Sequence, residues 1–314
     1  MFNRYWRVYP WFLQLFLFIM MIFILFYFFS IFTFILIPKI THIPVSVIST
    51  LNENSPRSYI QVGLLTQFIT HASIFLLPSF VFAYLTHPRP VEYLGFRAPG
   101  KKIHWLLVSL AIIGATPVFI YLGGLFQSMH WGKWAEDSQK TIDNTEKAFF
   151  QMQSLGDFIK VFITLAIMPA LGEEMLFRGV LMRFSFKRNK RITFPILMTA
   201  FMFALLHYSA YGFVSIFLAG VFLGYVYYLT GSLWCSVLAH LLNNGIQVII
   251  IYLAKDNSTL QSVMDNNLLP IYIPLIGLAL FTVSFYLLWQ NKTPLPNTWA
   301  DDYSAQELLD QENQ

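Results

Sequence analysis

Gly172-Glu173-Glu174-Met175-Leu176-Phe177-Arg178-Gly179 lies inside an apolar run from about Phe158 to Phe186, long enough to cross a bilayer. Two carboxylates and a guanidinium at that depth cost several kcal/mol unless each has a partner or a job. Glu174 and Arg178 stand at i, i+4, on one helical face, so they can form a charge-assisted pair. Glu173 is rotated by about 100° and points elsewhere. One carboxylate is neutralised by its neighbour, and the other is left free for chemistry.

The rest of the chain is built like this stretch. Of 314 residues 56% are hydrophobic and 18% aromatic, with 32 Phe, while only 11% are charged. Repeated apolar runs of about 20 residues make this an all-α, polytopic integral membrane protein. About eight spans are expected: Trp11–Ile37, Tyr59–Leu85, Trp105–Phe126, Phe158–Phe186, Phe194–Tyr208, Phe213–Leu229, Leu233–Ala254 and Pro270–Trp289. The first is too long for a signal-peptide core and reads as a helix that stays. The organisation expected is a three-span region over 1–157, a core of spans four to seven over 158–254, a last span over 255–290, and an acidic tail over 291–314, read as disordered. Ser128–Asp157, the most polar internal stretch, reads as a surface helix or lid, or as a solvated connector.

The formal charge of +4 is no nucleic-acid signature, because Lys and Arg fall in the loops between spans. Arg4, Arg7, Arg89, Arg97, Lys101, Lys102, the Arg183–Arg191 cluster and Lys292 fall on one side. That side is expected to be cytoplasmic, with both termini. The expected location is the cell (inner) membrane, and the lipid bilayer is the expected surrounding. A single cysteine, Cys235, excludes a disulfide framework and fits inert packing. No internal repeat supports an inverted-repeat transporter.

Two further polar clusters bear on function. His207 ends Phe203-Ala204-Leu205-Leu206-His207, and His240 and Asn244 share a face at i, i+4 in the seventh span. At 1.5 Å per residue, Glu173 lies roughly 16–20 Å from the cytoplasmic end, His207 roughly 20 Å and His240 roughly 10–12 Å. With ordinary tilts, a shared water-accessible cavity is feasible. A carboxylate beside an imidazole can deprotonate water, as Glu173 and His207 would. An imidazole and an amide N–H on one face can donate to an oxyanion, which suits His240 and Asn244. Together these describe amide hydrolysis without a covalent intermediate. His71, alone in the second span, reads as a histidine hydrogen-bonded between helices. Gly220 and Gly224 read as a close-packing pair, and Tyr225, Tyr227 and Tyr228 as an interfacial belt.

Glu-Glu-x-x-x-Arg at Glu173–Arg178, Phe-x-x-x-His at Phe203–His207 and His-x-x-x-Asn at His240–Asn244 follow one another in this order. The set resembles the CAAX-processing and bacteriocin-processing (CPBP) family of intramembrane endopeptidases, relatives of the type II CAAX prenyl protease. The resemblance covers about Phe158 to Ala254. It implies that Glu173 and His207 activate water, that His240 and Asn244 form the oxyanion site, and that Glu174 and Arg178 support them. The implied activity is cleavage of a membrane-associated peptide or protein, read here as near the cytoplasmic side. No cofactor is favoured. Zinc on Glu173, His207 and His240 stays open, although the His-Glu-x-x-His helix of zinc proteases is absent. The alternatives are a non-catalytic protein of the same fold, for immunity to a bacteriocin or as a scaffold, and a transporter using the same polar residues.

Overall fold

The computed structural model describes residues 6–129, 131–189, 191–255 and 269–301. Among these there are helices and no strand. The longer helices are α1 (Trp11–Thr41), α2 (Arg57–Thr86), α3 (Ile103–Gln127), α4 (Lys133–Phe149), α5 (Leu155–Arg188), α6 (Thr193–Leu205), α7 (Phe213–Thr230), α8 (Leu233–Ala254) and α9 (Tyr272–Gln290). Seven are long and apolar enough to cross a membrane; α4 and α6 are the exceptions. Arg4, Lys190, most of the expected Lys255–Leu269 loop and the tail from 302 onward lie outside the described residues.

Helix α5 is the axis of the bundle. Every residue from 172 to 184 is buried, and Met175, Leu176, Phe177 and Val180 share one core cluster with Phe82 of α2, Phe203 of α6 and Tyr227 of α7. Helix α1 is the opposite case. It is apolar all round, and Phe12, Phe16, Phe23 and Phe28 remain exposed, as lipid-facing residues do. Helices α3 and α9 cross closely. A Cβ on Gly114 would stand 2.6 Å from the Phe281 nitrogen, and one on Gly277 would stand 2.6 Å from the Gly114 carbonyl. Only glycine permits that approach.

The fifth expected span is shorter than the sequence suggests. Helix α6 has 13 residues, about 20 Å at 1.5 Å per residue, against a hydrocarbon core of about 30 Å. It stops because the chain turns at His207 and Tyr208, the latter in the left-handed region at φ 53°. Irregular backbone at membrane depth is tolerable only where protein or a wet cavity covers it. Here α4 does so. Ser209 Oγ donates to Gln139 Oε1 at 2.9 Å, and Ser138 Oγ donates to the Tyr208 carbonyl at 3.4 Å. Ser128–Asp157 is thus mostly a helix laid against the bundle, with Ala135, Ala148 and Phe149 buried.

Contacts sort the loops into two ends. At one end Arg57 holds Asp157 at 2.7 Å, joining the start of α2 to the capping box of Ser154 and Asp157 that opens α5. At the other end Leu233 N–H donates to the Gly95 carbonyl, Thr293 N–H to Leu229, and buried Arg183 to the carbonyls of Tyr93 and Trp299. The basic segments gather at this second end.

Three local readings change. Arg183 is buried, and is therefore not a surface charge of the basic loop. Tyr227 is buried too, edge-on to Trp299, so it belongs to the core and not to an interfacial belt. The tail is not disordered from its start, because Leu295, Trp299 and Ala300 pack into the core around Phe186 and Tyr227.

Candidate active site

The site is built where α5 widens. Turns of π-helix run over Ile163–Ile167 and Met175–Leu181 on either side of the Glu-Glu pair, and a third over Ala72–Leu76 follows His71 in α2. Such turns expose backbone groups and concentrate at functional positions. One has a cause in the sequence. Pro169 has no N–H to offer the Leu165 carbonyl four residues before it, and Asn244 Nδ2 donates to that carbonyl instead, at 3.3 Å.

Glu174 is fully buried and fully partnered. Its Oε1 accepts from Arg178 Nη1 at 2.8 Å and from His240 Nδ1 at 2.9 Å, and its Oε2 accepts from Ser236 Oγ at 2.6 Å. Arg178 also donates to the Gly220 carbonyl at 2.8 Å and lies 5.1 Å from the Phe203 ring centre. The i, i+4 pair expected from spacing is therefore present, and it does more than cancel charge. It fixes His240 by Nδ1, which turns Nε2 towards Glu173 Oε2, 3.8 Å away.

Glu173 is held differently. Its Oε1 accepts from His71 Nε2 at 2.9 Å, and His71 Nδ1 accepts from Gln67 Nε2 at 3.1 Å. With that amide orientation the His71 proton sits on Nε2. Glu173 Oε2 is buried and has no hydrogen-bond partner. Glu173 lines a cavity of about 640 Å³ shared with His71, His207, His240, Asn243 and Asn244.

All the sequence-expected residues fall in or beside this cavity. Glu173, His207, His240 and Asn244 line it, and Glu174 and Arg178 stand behind it. His207 is not within a helix, as expected, but on the exposed turn after α6, with Nδ1 donating to the Phe203 carbonyl at 2.7 Å and Nε2 left over. Phe203 packs between the two imidazoles, at 4.6 Å from His207 and 5.9 Å from His240. Asn244 does not pair with His240: its amide bridges Leu165 and Asn243. Among the described residues no group of three or more His, Cys, Asp or Glu side chains is gathered to hold a metal ion. Glu173, His207 and His240 do not form such a group.

His71 is what the sequence reading missed. It is indeed hydrogen-bonded between helices, but its partner is Glu173. The signal was available: Gln67 and His71 stand at i, i+4 inside a span, and an ionisable intramembrane residue with a polar neighbour on its face warrants a functional reading.

Residues 156–246 match the family model described as Type II CAAX prenyl endopeptidase Rce1-like. The Rce1-like segment runs from the start of α5 into α8 and contains all three motifs. It covers under a third of the chain. His71 lies outside it, so α2 adds to the site from beyond the matched region. No curated protein and no solved structure matches the chain. The Rce1-like family is a protease family, and among the described residues seven helices are long and apolar enough to cross a membrane.

Proposed function

We propose that the chain is an intramembrane endopeptidase that hydrolyses a peptide bond of a membrane-associated peptide or protein with water activated by Glu173. The observation that carries this reading is the asymmetry of the Glu173 carboxylate. One oxygen is held by His71, while the other is buried with no hydrogen-bond partner among the described residues, 3.8 Å from His240 Nε2. A carboxylate fixed on one side and bare on the other is ready to take a proton from water.

The water oxygen attacks the peptide carbonyl carbon, and its proton passes to Glu173 Oε2. The leaving amine then takes that proton as the C–N bond breaks. His207, with Nδ1 committed to Phe203, can accept from the same water through Nε2. His240 Nε2 can donate to the oxyanion only as imidazolium, since Nδ1–H is committed to Glu174. Glu174 Oε1 lies 2.9 Å from His240 Nδ1 and Glu173 Oε2 lies 3.8 Å from His240 Nε2. The remaining Asn244 N–H is the second donor for the oxyanion.

The cavity lies at the α4 end of the bundle, opposite the basic segments. With the basic end cytoplasmic, cleavage takes place towards the other face, in place of the expected cleavage near the cytoplasmic side. The charge distribution favours keeping the termini cytoplasmic.

The test is proteolysis of a quenched peptide library, with lipidated and unlipidated members, by the purified protein in liposomes. Cleavage lost in Glu173→Gln and unaffected by a chelator supports the glutamate reading. Cleavage restored only by zinc replaces it with a metal mechanism. No Glu173-dependent cleavage, together with a cellular phenotype that survives Glu173→Gln, returns the chain to the non-catalytic reading.

A further inference from the structure

The cavity contains a second carboxylate that hydrolysis does not use. Glu146, on α4, lines it together with Glu173, and no Lys or Arg lines it among the described residues. Glu146 stands in the last turn of α4, whose C-terminal dipole disfavours a negative charge. Asp143 is at i−3 on the same face, a destabilising like-charge neighbour. The positions that could offset this, three or four residues away, hold Ile142, Phe149 and Phe150. Lys147 is adjacent in sequence and therefore points elsewhere. Asp143 has Gln139 Nε2 as a partner at 2.7 Å; among the described residues the Glu146 side chain has neither an ion pair nor a hydrogen bond. The chain thus keeps an uncompensated carboxylate, against the dipole and against a like charge, facing the cavity where the substrate would lie.

We propose that Glu146 selects substrates carrying a positively charged side chain, lysine or arginine, close to the scissile bond. This rests on the peptidase reading and adds a substrate class to it. A cationic side chain supplies the partner that α4 withholds, and it meets no competing Lys or Arg in the cavity. A free C-terminal carboxylate in the same place meets like charge and is rejected. Glu146 is exposed to solvent and also lines the cavity, so a substrate side chain can reach it without rearrangement of the core.

The experiment uses the full-length protein in liposomes and pairs of quenched peptides that differ by Lys against Glu at one position, scanned along the sequence. Wild type is expected to favour the Lys peptide in kcat/KM by about tenfold or more at one position, a difference of about 1.4 kcal/mol. Glu146→Gln should erase most of that preference, and Glu146→Lys should reverse it. Cleavage that depends on Glu173 but keeps the same Lys-to-Glu ratio in both Glu146 variants overturns the proposal and leaves the peptidase reading intact. If no cleavage depends on Glu173, the peptidase reading fails instead. Fluorescence anisotropy with the same peptides then decides whether the cavity selects charge, and equal affinities in wild type and Glu146→Lys overturn that as well.

Discussion

His71 Nε2 donates to Glu173 Oε1 across 2.9 Å, joining two helices 102 residues apart in sequence. That contact decides which Glu173 oxygen is free. Because His71 holds one oxygen and not the reacting water, its removal should lower kcat far more than it raises KM. The expected loss for His71→Ala is about 10²-fold, read from steady-state kinetics. An unchanged kcat would make His71 a packing residue.

The Glu174–Arg178 pair is wholly buried, so breaking it strands a charge. Arg178→Met should destabilise the protein by about 3–5 kcal/mol, seen as a fall in thermal midpoint in detergent. The double variant Arg178→Met with Glu174→Gln should recover part of this, because no unpaired charge remains. A single variant with an unshifted midpoint would contradict the buried-pair account.

Asn244 has both a structural and a proposed catalytic role, and Pro169 separates them. Asn244→Ala leaves the Leu165 carbonyl unpaired, at about 1–3 kcal/mol, and removes an oxyanion donor. Adding Pro169→Ala restores an N–H four residues after Leu165. Thermal stability should then return while activity stays low. Recovery of both would reduce Asn244 to a structural partner.

Crowding by surrounding protein, and then the charge of Asp143, raise the pKa of Glu146 above its ordinary value of 4.5. Its negative charge is present above that raised pKa and lost as pH falls through it. The preference for a Lys peptide over an uncharged one should therefore fade on acidification, at a pH above 4.5. His71, His207, His240 and Glu173 line the same cavity, so the informative quantity is the part of the preference that Glu146→Gln lacks. A pH-independent difference between the two proteins would remove Glu146 from selection.

Membrane orientation can be read from α4. Lys140 is exposed, and Cys235, the chain's single cysteine, is buried. Lys140→Cys should react with a membrane-impermeant maleimide added outside intact cells. Labelling only after permeabilisation would put the cavity on the cytoplasmic side.

The all-α membrane architecture was legible because the bilayer imposes a strong rule: an apolar run of sufficient length must be a helix. Helix α8 appears over the expected Leu233–Ala254. The Glu174–Arg178 pair was legible for a similar reason, since i, i+4 geometry is local to one helix. Helix α6 departed from expectation because hydropathy does not register a left-handed residue such as Tyr208, which ends a helix early and hangs His207 over the cavity. The partners of Glu173, the diversion of Asn244 to Leu165 and the seat of Glu146 in the cavity wall belong to contacts between helices. Their spacing in sequence carries no information on distance, because packing of α2, α4, α5 and α8 sets it. The sequence by itself determined which residues could do chemistry; only the tertiary structure decided which oxygen of Glu173 is left free to do it.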